Sequence, residues 1–177
     1  AKIIFYSKME LKNKVILITG SSNGIGKESA ISLAKEGSKI IVTYNKNKKS
    51  GEDVLDECKK YTEAILLHLD VTDNESIRKC VNDSIKEFNK IDILVNNAGI
   101  VSRKNFSQQD KKEIDMQIDI NLKGLMKMTH EVLPHLLKRN EGMIINIASG
   151  AAKNGFPGLV TYCASKFGVR GFTRALA

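Results

Sequence analysis

Short apolar runs alternate with helix-periodic stretches along almost the whole chain. Lys14-Val15-Ile16-Leu17-Ile18-Thr19 reads as a buried strand, and Gly20 ends it. Residues 24–36 then place Ile25, Ala30, Leu33 and Ala34 on one helical face before Gly37. The pattern repeats with a strand at 39–43, a helix at 48–61 and a strand at 64–69. Asp73 is positioned to cap a helix running to Phe88, and residues 91–95 form a fourth strand before Asn96-Asn97-Ala98-Gly99. A polar loop at 102–109 leads into one long helix ending at Arg139. Residues 143–148 supply a fifth strand, and Gly155, Pro157 and Gly158 turn the chain into a last helix beginning near Val160. Strands that are apolar on both faces need cover on both faces. The expected class is therefore α/β, with a parallel sheet between two layers of helices.

A chain of 177 residues is long enough to bury a core as a single domain, 1–177. No apolar run reaches the length of a membrane span, and Ile3-Ile4-Phe5-Tyr6 is too short for a signal-peptide core, so a cytoplasmic location is expected. The net charge of +8 comes mainly from lysines dispersed along the sequence, and tryptophan is absent. A nucleic-acid surface would show a basic stripe with aromatic platforms, so none is expected. The positive charge suits anionic ligands, such as phosphorylated cofactors or an acidic carrier protein. Cys58, Cys80 and Cys163 form neither zinc pairs nor a disulfide framework. His68, His130 and His135 share no ligand spacing, and no metal site is expected.

The turn after the first strand reads Thr19-Gly20-Ser21-Ser22-Asn23-Gly24-Ile25-Gly26. Strand, glycines and helix in that order present backbone amides and a positive helix end to a phosphate. The spacing differs from G-x-G-x-x-G, because position 29 is Ser. Gly24 and Gly26 still permit close approach of a pyrophosphate. A carboxylate after the second strand would hold the ribose 2′-hydroxyl of NAD. Here the stretch is Thr43-Tyr44-Asn45-Lys46-Asn47-Lys48-Lys49, without an acid. Hydroxyls, amides and lysines would accept a 2′-phosphate, so NADP is favoured over NAD.

Tyr162 and Lys166 lie one helical turn apart and share a helix face, a short interval after Ser149. The spacing alone says little, since Tyr44 and Lys48 match it too. Position separates the two pairs: Tyr162 opens a helix downstream of a serine that ends a buried strand.

Taken together, Thr19-Gly20-x-x-x-Gly24-Ile25-Gly26, Asp70-Val71, Asn96-Asn97-Ala98-Gly99, Asn121, Ser149 and Tyr162-x-x-x-Lys166 resemble the short-chain dehydrogenase/reductase family from about Leu11 onward. Within it, the chain looks most like 3-oxoacyl-(acyl carrier protein) reductases and related carbonyl reductases. The resemblance implies a Rossmann-like doubly wound sheet and hydride transfer between a nicotinamide and a carbonyl or alcohol. It makes Tyr162 the general acid/base. A free phenol titrates at about 10, and the ammonium of Lys166 with a positively charged nicotinamide would favour the phenolate. Lys166 would also bond the nicotinamide ribose, Ser149 would donate to the substrate oxygen, and Asn121 would hold a water linking Lys166 to solvent.

Cofactor contacts are implied for Gly20, Ser22, Asn23, Gly24, Ile25 and Gly26 at the turn, and for Asn45 after the second strand. Asp70 and Val71 would meet the adenine, and Asn97, Ala98 and Gly99 the adenine ribose and neighbouring atoms. Asn97 can equally be a turn residue that stabilises the sheet.

Family members usually continue past the tyrosine helix with further strands, a proline-glycine cofactor loop and much of the substrate pocket. The expectation is a domain lacking the last strands, as a fragment of a longer protein, with Met9 as a natural start. Three classes of function stand open: a reductase or dehydrogenase of a small carbonyl or carrier-bound acyl thioester, a dinucleotide-binding module without catalysis, and a subunit of an assembly. In the family the long helix and the last helix commonly pack between subunits, so a homo-oligomer is expected under each.

Overall fold

Isoleucine, valine and leucine fill the strands because branched side chains pack well on a pleated surface covered on both sides. The strands are β1 (Val15–Ile18), β2 (Lys39–Tyr44), β3 (Ala64–His68), β4 (Ile93–Asn96) and β5 (Met143–Asn146). The computed structural model describes residues 10–177, so Ile3-Ile4-Phe5-Tyr6 and Met9 lie outside the described residues. All neighbouring strands pair in parallel, in the order β3-β2-β1-β4-β5. β1 is central, with Ile16 in register with Ile40 on one side and Ile93 on the other.

The pleat divides the core in two. Val15, Leu17 and Leu94 face α3 (Asn74–Phe88) and α5 (Leu125–Arg139), packing with Ile77, Val81, Met128 and Val132. Ile16, Ile18 and Val42 face α1 (Gly24–Lys35) and α2 (Lys48–Lys59), packing with Ala30, Ala34 and Val54. Alanines at two α1 positions let that helix lie close to the sheet. The expected doubly covered parallel sheet is what forms.

The single long helix expected after the polar loop is helical throughout but not uniform. It runs as α4 (Lys111–Ile118), a π-helical turn (Asp119–Gly124) and α5. α4 opens on a capping box in which Asp110 accepts from the Glu113 amide and Glu113 returns to the Asp110 amide. A Cβ on Gly124 would lie 2.8 Å from Val71 Cγ2, so glycine allows the helix to press on the segment after β3. α6 (Val160–Leu176) packs against α4 and the π turn. The polar loop holds a 3-10 turn (Phe106–Gln108), and another (Gly150–Ala152) follows β5. Neither has apolar periodicity by which sequence could announce it.

β4 begins at Ile93 rather than at residue 91, although the Asp92 backbone already bonds to Val15 and Met143, and its side chain works at the strand entrance. Its Oδ2 accepts from the Val15 amide at 2.8 Å, Lys90 pairs with it at 2.9 Å, and Arg139 pairs with its other oxygen. Arg139 also donates to the Ile91 carbonyl at 2.9 Å, tying the end of α5 to the sheet. Asp92 is 2% exposed, and burial alone would raise its carboxyl. The Val15 amide, Lys90 and Arg139 outweigh that and hold it below the usual carboxylate range.

Asp92→Asn should lower unfolding free energy by about 2 kcal/mol at neutral pH, measured in urea. Because the folded carboxyl is held low, its contribution is complete above about pH 4 and is lost as pH falls through the folded value. The gap between variant and wild type should therefore shrink in acid. An equal gap at neutral and strongly acidic pH would show that charge is not the cause.

Candidate active site

Strand order reverses between β1 and β4. The chain leaves β1 for the face carrying α1 and α2, and leaves β4 for the face carrying α4 and α5, so a crevice opens between them at the carboxyl ends. A cleft of about 740 Å³ lies there. Its floor is a set of partly buried hydrogen bonds. The Thr19 hydroxyl oxygen accepts from the amides of Asn97 and Ala98, each at 2.9 Å, and the Asn97 side chain donates to the carbonyls of Thr19 and Gly20 at 3.0 and 3.1 Å. Asn97 thus has the sheet-stabilising part while also lining the cleft.

Two hydroxyls outside the expected site set complete the floor. Thr43 Oγ1 accepts from the Gly20 amide at 3.0 Å and donates to the Ile18 carbonyl at 2.8 Å. Ser21 Oγ accepts from the Thr43 amide at 2.8 Å and donates to the same carbonyl at 2.9 Å. The available signal was a threonine near the end of the otherwise apolar β2 and a serine directly after Gly20 in the turn.

The glycines divide by purpose. Gly20 has φ of 64°, and a Cβ there would fall 2.9 Å from Ala98 Cα. A Cβ on Gly26 would lie 2.5 Å from Asn97 Nδ2 and 2.6 Å from the Gly20 carbonyl oxygen, so this glycine faces the protein interior and lets α1 close on the turn. Gly24 has φ of 54° and open space where a Cβ would be. Asn23 precedes α1 in extended geometry and makes no side-chain cap bond, leaving the first-turn amides without a side-chain partner. Ser22, Asn23 and Ile25 line the cleft beside them. An open helix N-terminus on a glycine turn fits a dinucleotide phosphate.

Asn45, Lys46, Asp70 and Val71 line the far end of the cleft. Burial pushes the Asp70 carboxyl up, but bonds from Thr72 and Asn45 prevail and hold it low. The Thr72 amide and hydroxyl reach Asp70 Oδ1 at 2.9 and 2.7 Å. Lys48 and Lys49 turn to Glu52 and Asp53 along α2, at 3.5 and 3.1 Å, whereas Lys46 is a cleft residue. In the other pair of Tyr-x-x-x-Lys spacing, Tyr44 meets the His68 ring edge-on at 5.4 Å and lines the cleft, while Lys48 pairs with Glu52.

At the other end Tyr162 and Lys166 line the same cleft from α6. Lys166 Nζ lies 5.7 Å from the centre of the Tyr162 ring and donates to the Ile147 carbonyl at 2.8 Å. Lys166 is 5% exposed, and burial lowers its ammonium from the usual lysine range. Gly99 joins the group, since a Cβ there would sit 3.2 Å from Asn121 Oδ1 and 3.8 Å from Lys166 Nζ. The Asn121 side chain, expected to hold a water, is engaged by protein. It accepts from the Ile100 amide at 2.8 Å and donates to the Ile100 carbonyl and Ser165 Oγ at 2.9 and 3.1 Å. Ser149 is exposed, and its Oγ accepts from the Ala151 amide at 3.2 Å, capping the 3-10 turn. It is not among the cleft-lining residues. Among the described residues no helix is long and apolar enough to cross a membrane, and no group of three or more His, Cys, Asp or Glu could hold a metal ion.

A doubly wound parallel sheet, a glycine turn at the strand-order reversal and a tyrosine-lysine pair across the same crevice define the class of nicotinamide-dependent oxidoreductases. The short chain dehydrogenase family model matches residues 14–177. A 3-oxoacyl-[acyl-carrier-protein] reductase of Staphylococcus epidermidis is 36% identical over 166 residues, covering 93% of this chain and 68% of the relative. The Thermotoga maritima protein of the same name is 35% identical over 174 residues, covering 96% of this chain and 69% of the relative. A crystal structure of a protein assigned as a short-chain alcohol dehydrogenase, from Sinorhizobium meliloti 1021, superposes with a TM-score of 0.90 at 32% identity, covering 95% of this chain and 67% of that one. The chain belongs to the short-chain dehydrogenase/reductase family.

Gly26→Ala should cost about 2 kcal/mol in urea unfolding, because both nearest neighbours of the added methyl belong to the cleft floor. Gly24→Ala meets no neighbour but must hold φ at 54°, so it should cost about 1 kcal/mol, less than Gly26→Ala; the reverse ranking would contradict the division between the two glycines.

Proposed function

We propose that the chain is an NADP-preferring oxidoreductase that interconverts a carbonyl and an alcohol, with Tyr162 as the proton donor and acceptor. The observation carrying this reading is that Tyr162 and Lys166 share one cleft with the glycine turn and the β2 and β3 ends. Residues Gly20, Ser22, Asn23, Gly24 and Ile25 would hold the pyrophosphate, with Gly26 supporting them from below. Asp70 and Val71 would flank the adenine, and Ala98, Gly99 and Lys166 would lie along the ribose and nicotinamide. A bound nicotinamide supplies or accepts the hydride.

The chain's own groups handle the proton. In reduction the Tyr162 hydroxyl gives its proton to the carbonyl oxygen as the carbon is reduced, and in oxidation the phenolate takes it back. A desolvated Lys166 ammonium beside the ring strengthens the phenolate electrostatically, since little water screens it. Asn121 holds the wall residue Ile100, and the Ser149 hydroxyl, which accepts from the Ala151 amide, keeps its proton free to donate to a substrate oxygen. For substrate, the names of the relatives and the net charge of +8 favour a 3-oxoacyl group on an acidic carrier. A dinucleotide-binding chain without turnover is the second reading, favoured by the position of Ser149 outside the cleft.

Tyr162→Phe should reduce kcat with an oxoacyl thioester by about a thousandfold while leaving the NADPH dissociation constant within about twofold. Retention of most activity would remove the proton role of Tyr162. On the nucleotide side, NADPH should bind about tenfold tighter than NADH, and Lys46→Glu should abolish that preference. Tighter NADH binding by the wild-type chain would overturn the assignment.

A further inference from the structure

The loop 100–109 leaves β4 and forms one wall of the cleft through Ile100 and Val101. Its connection to α6 is unusual in being buried and polar. Gln109, at the end of the loop, is 9% exposed, and Thr161, in the first turn of α6, is 4% exposed. Thr161 Oγ1 donates to Gln109 Oε1 at 2.6 Å across a separation of 52 residues. The other end of the Gln109 amide points back at the loop, with Nε2 3.5 Å from the Lys104 carbonyl. One side chain therefore gathers the loop and fastens it to the residue just before Tyr162.

The first turn of α6 carries no side-chain cap of its own, although the helix is held further along by Lys166 on the Ile147 carbonyl and by its buried face. Leu159 occupies the N-cap and makes no side-chain cap bond, and the Thr161 hydroxyl is used on Gln109 rather than on its own helix. The near end of the loop reaches α6 by a second route: Asn121 bonds both backbone groups of Ile100 and also Ser165 Oγ, which donates to the Tyr162 carbonyl at 2.7 Å. Gln117, 1% exposed, receives the Ser102 amide at 3.2 Å. The wall and the tyrosine are thus joined on both sides of Tyr162.

We infer that the Gln109–Thr161 hydrogen bond is a buried latch that sets the distance between the substrate-facing wall at 100–101 and Tyr162, making Gln109 and Thr161 positioning residues for the carbonyl substrate. The inference rests on the oxidoreductase reading for its catalytic consequence, but not for the latch itself. Breaking the bond leaves the Gln109 oxygen buried without a donor, and the loop must move to find water. The nucleotide half of the cleft has its own framework at Thr19, Thr43 and Asn97, so the disturbance falls on substrate and not on cofactor.

The test compares Thr161→Val, which keeps the shape and removes the donor, with Thr161→Ser, which keeps the hydroxyl. Hydrogen exchange reads the latch without any activity. In Thr161→Val, the amides of Gln108 and Gln109 in the loop and of Cys163 in α6 should exchange about tenfold faster together, and Thr161→Ser should restore both segments. Steady-state kinetics then read the function. KM for an oxoacyl thioester should rise about tenfold in Thr161→Val with kcat changed by less than about threefold, and NADPH affinity should hold. Gln109→Leu, which removes the acceptor, should reproduce the shift if Thr161→Val folds poorly. Acceleration in only one segment, no acceleration, or a KM unmoved in an active variant would overturn the latch. A wild-type chain that binds NADPH yet reduces no carbonyl would instead remove the oxidoreductase reading, with exchange still deciding the latch.

Discussion

The Thr19 hydroxyl holds the ends of β1 and β4 side by side where their chains part to opposite faces of the sheet. One oxygen accepts two consecutive amides, from Asn97 and Ala98, and the Asn97 side chain answers by donating to the carbonyls of Thr19 and Gly20. Without this closure, the amides and carbonyls freed at the strand ends would be buried without partners, each costing on the order of 1–3 kcal/mol. The closure also places the glycine turn against Ala98, so the phosphate cradle and the path towards α6 share one rigid base.

Polar burial is concentrated around this base while the two halves of the core remain apolar. Ser21, Thr43, Asn121 and Ser165 are each nearly inaccessible and each bonded. Asn96 is the exception in part: its Nδ2 donates to Thr129 and Asn146, whereas its Oδ1 has no partner among the described residues. Lys166, like Asp92, is a buried ionisable group, but it has no opposite charge beside it among its hydrogen-bond and ion-pair partners. Its burial weakens the ammonium, and a single carbonyl, that of Ile147, receives it. That bond ties α6 to the segment after β5, so the buried lysine has a structural part whatever its role in chemistry.

Much of the fold was legible in the sequence. The apolar runs at β1 and β4, the Asp73 cap of α3 and the glycine after α1 are local signals, and each element forms there, with β4 starting two residues later than the run suggests. The π turn around Asn121 was not legible, because three helical segments joined end to end share one amphipathic pattern. Asp92 was not legible either: a charged residue beside a strand reads as solvated until the Val15 amide and Arg139 are seen to meet it. At the site, the spacing of Tyr162 and Lys166 was visible but shared with Tyr44 and Lys48, and only packing brings both members of one pair to the cleft while Lys48 of the other turns to Glu52. Ser149 was equally visible by position, yet its hydroxyl is turned to a local cap.

By itself the sequence determined the α/β class, the order of the elements and the family, because hydrophobic period, turn residues and motif spacing are properties of neighbouring positions. Only the tertiary structure decided which glycine supports the turn and which opens to a ligand, and which lysine after β2 faces the cleft. It alone joined Gln109 to Thr161, residues 52 apart in the chain and 2.6 Å apart in space. Those are facts about what a side chain meets across the fold, and local patterns do not encode the orientation of one packed element towards another.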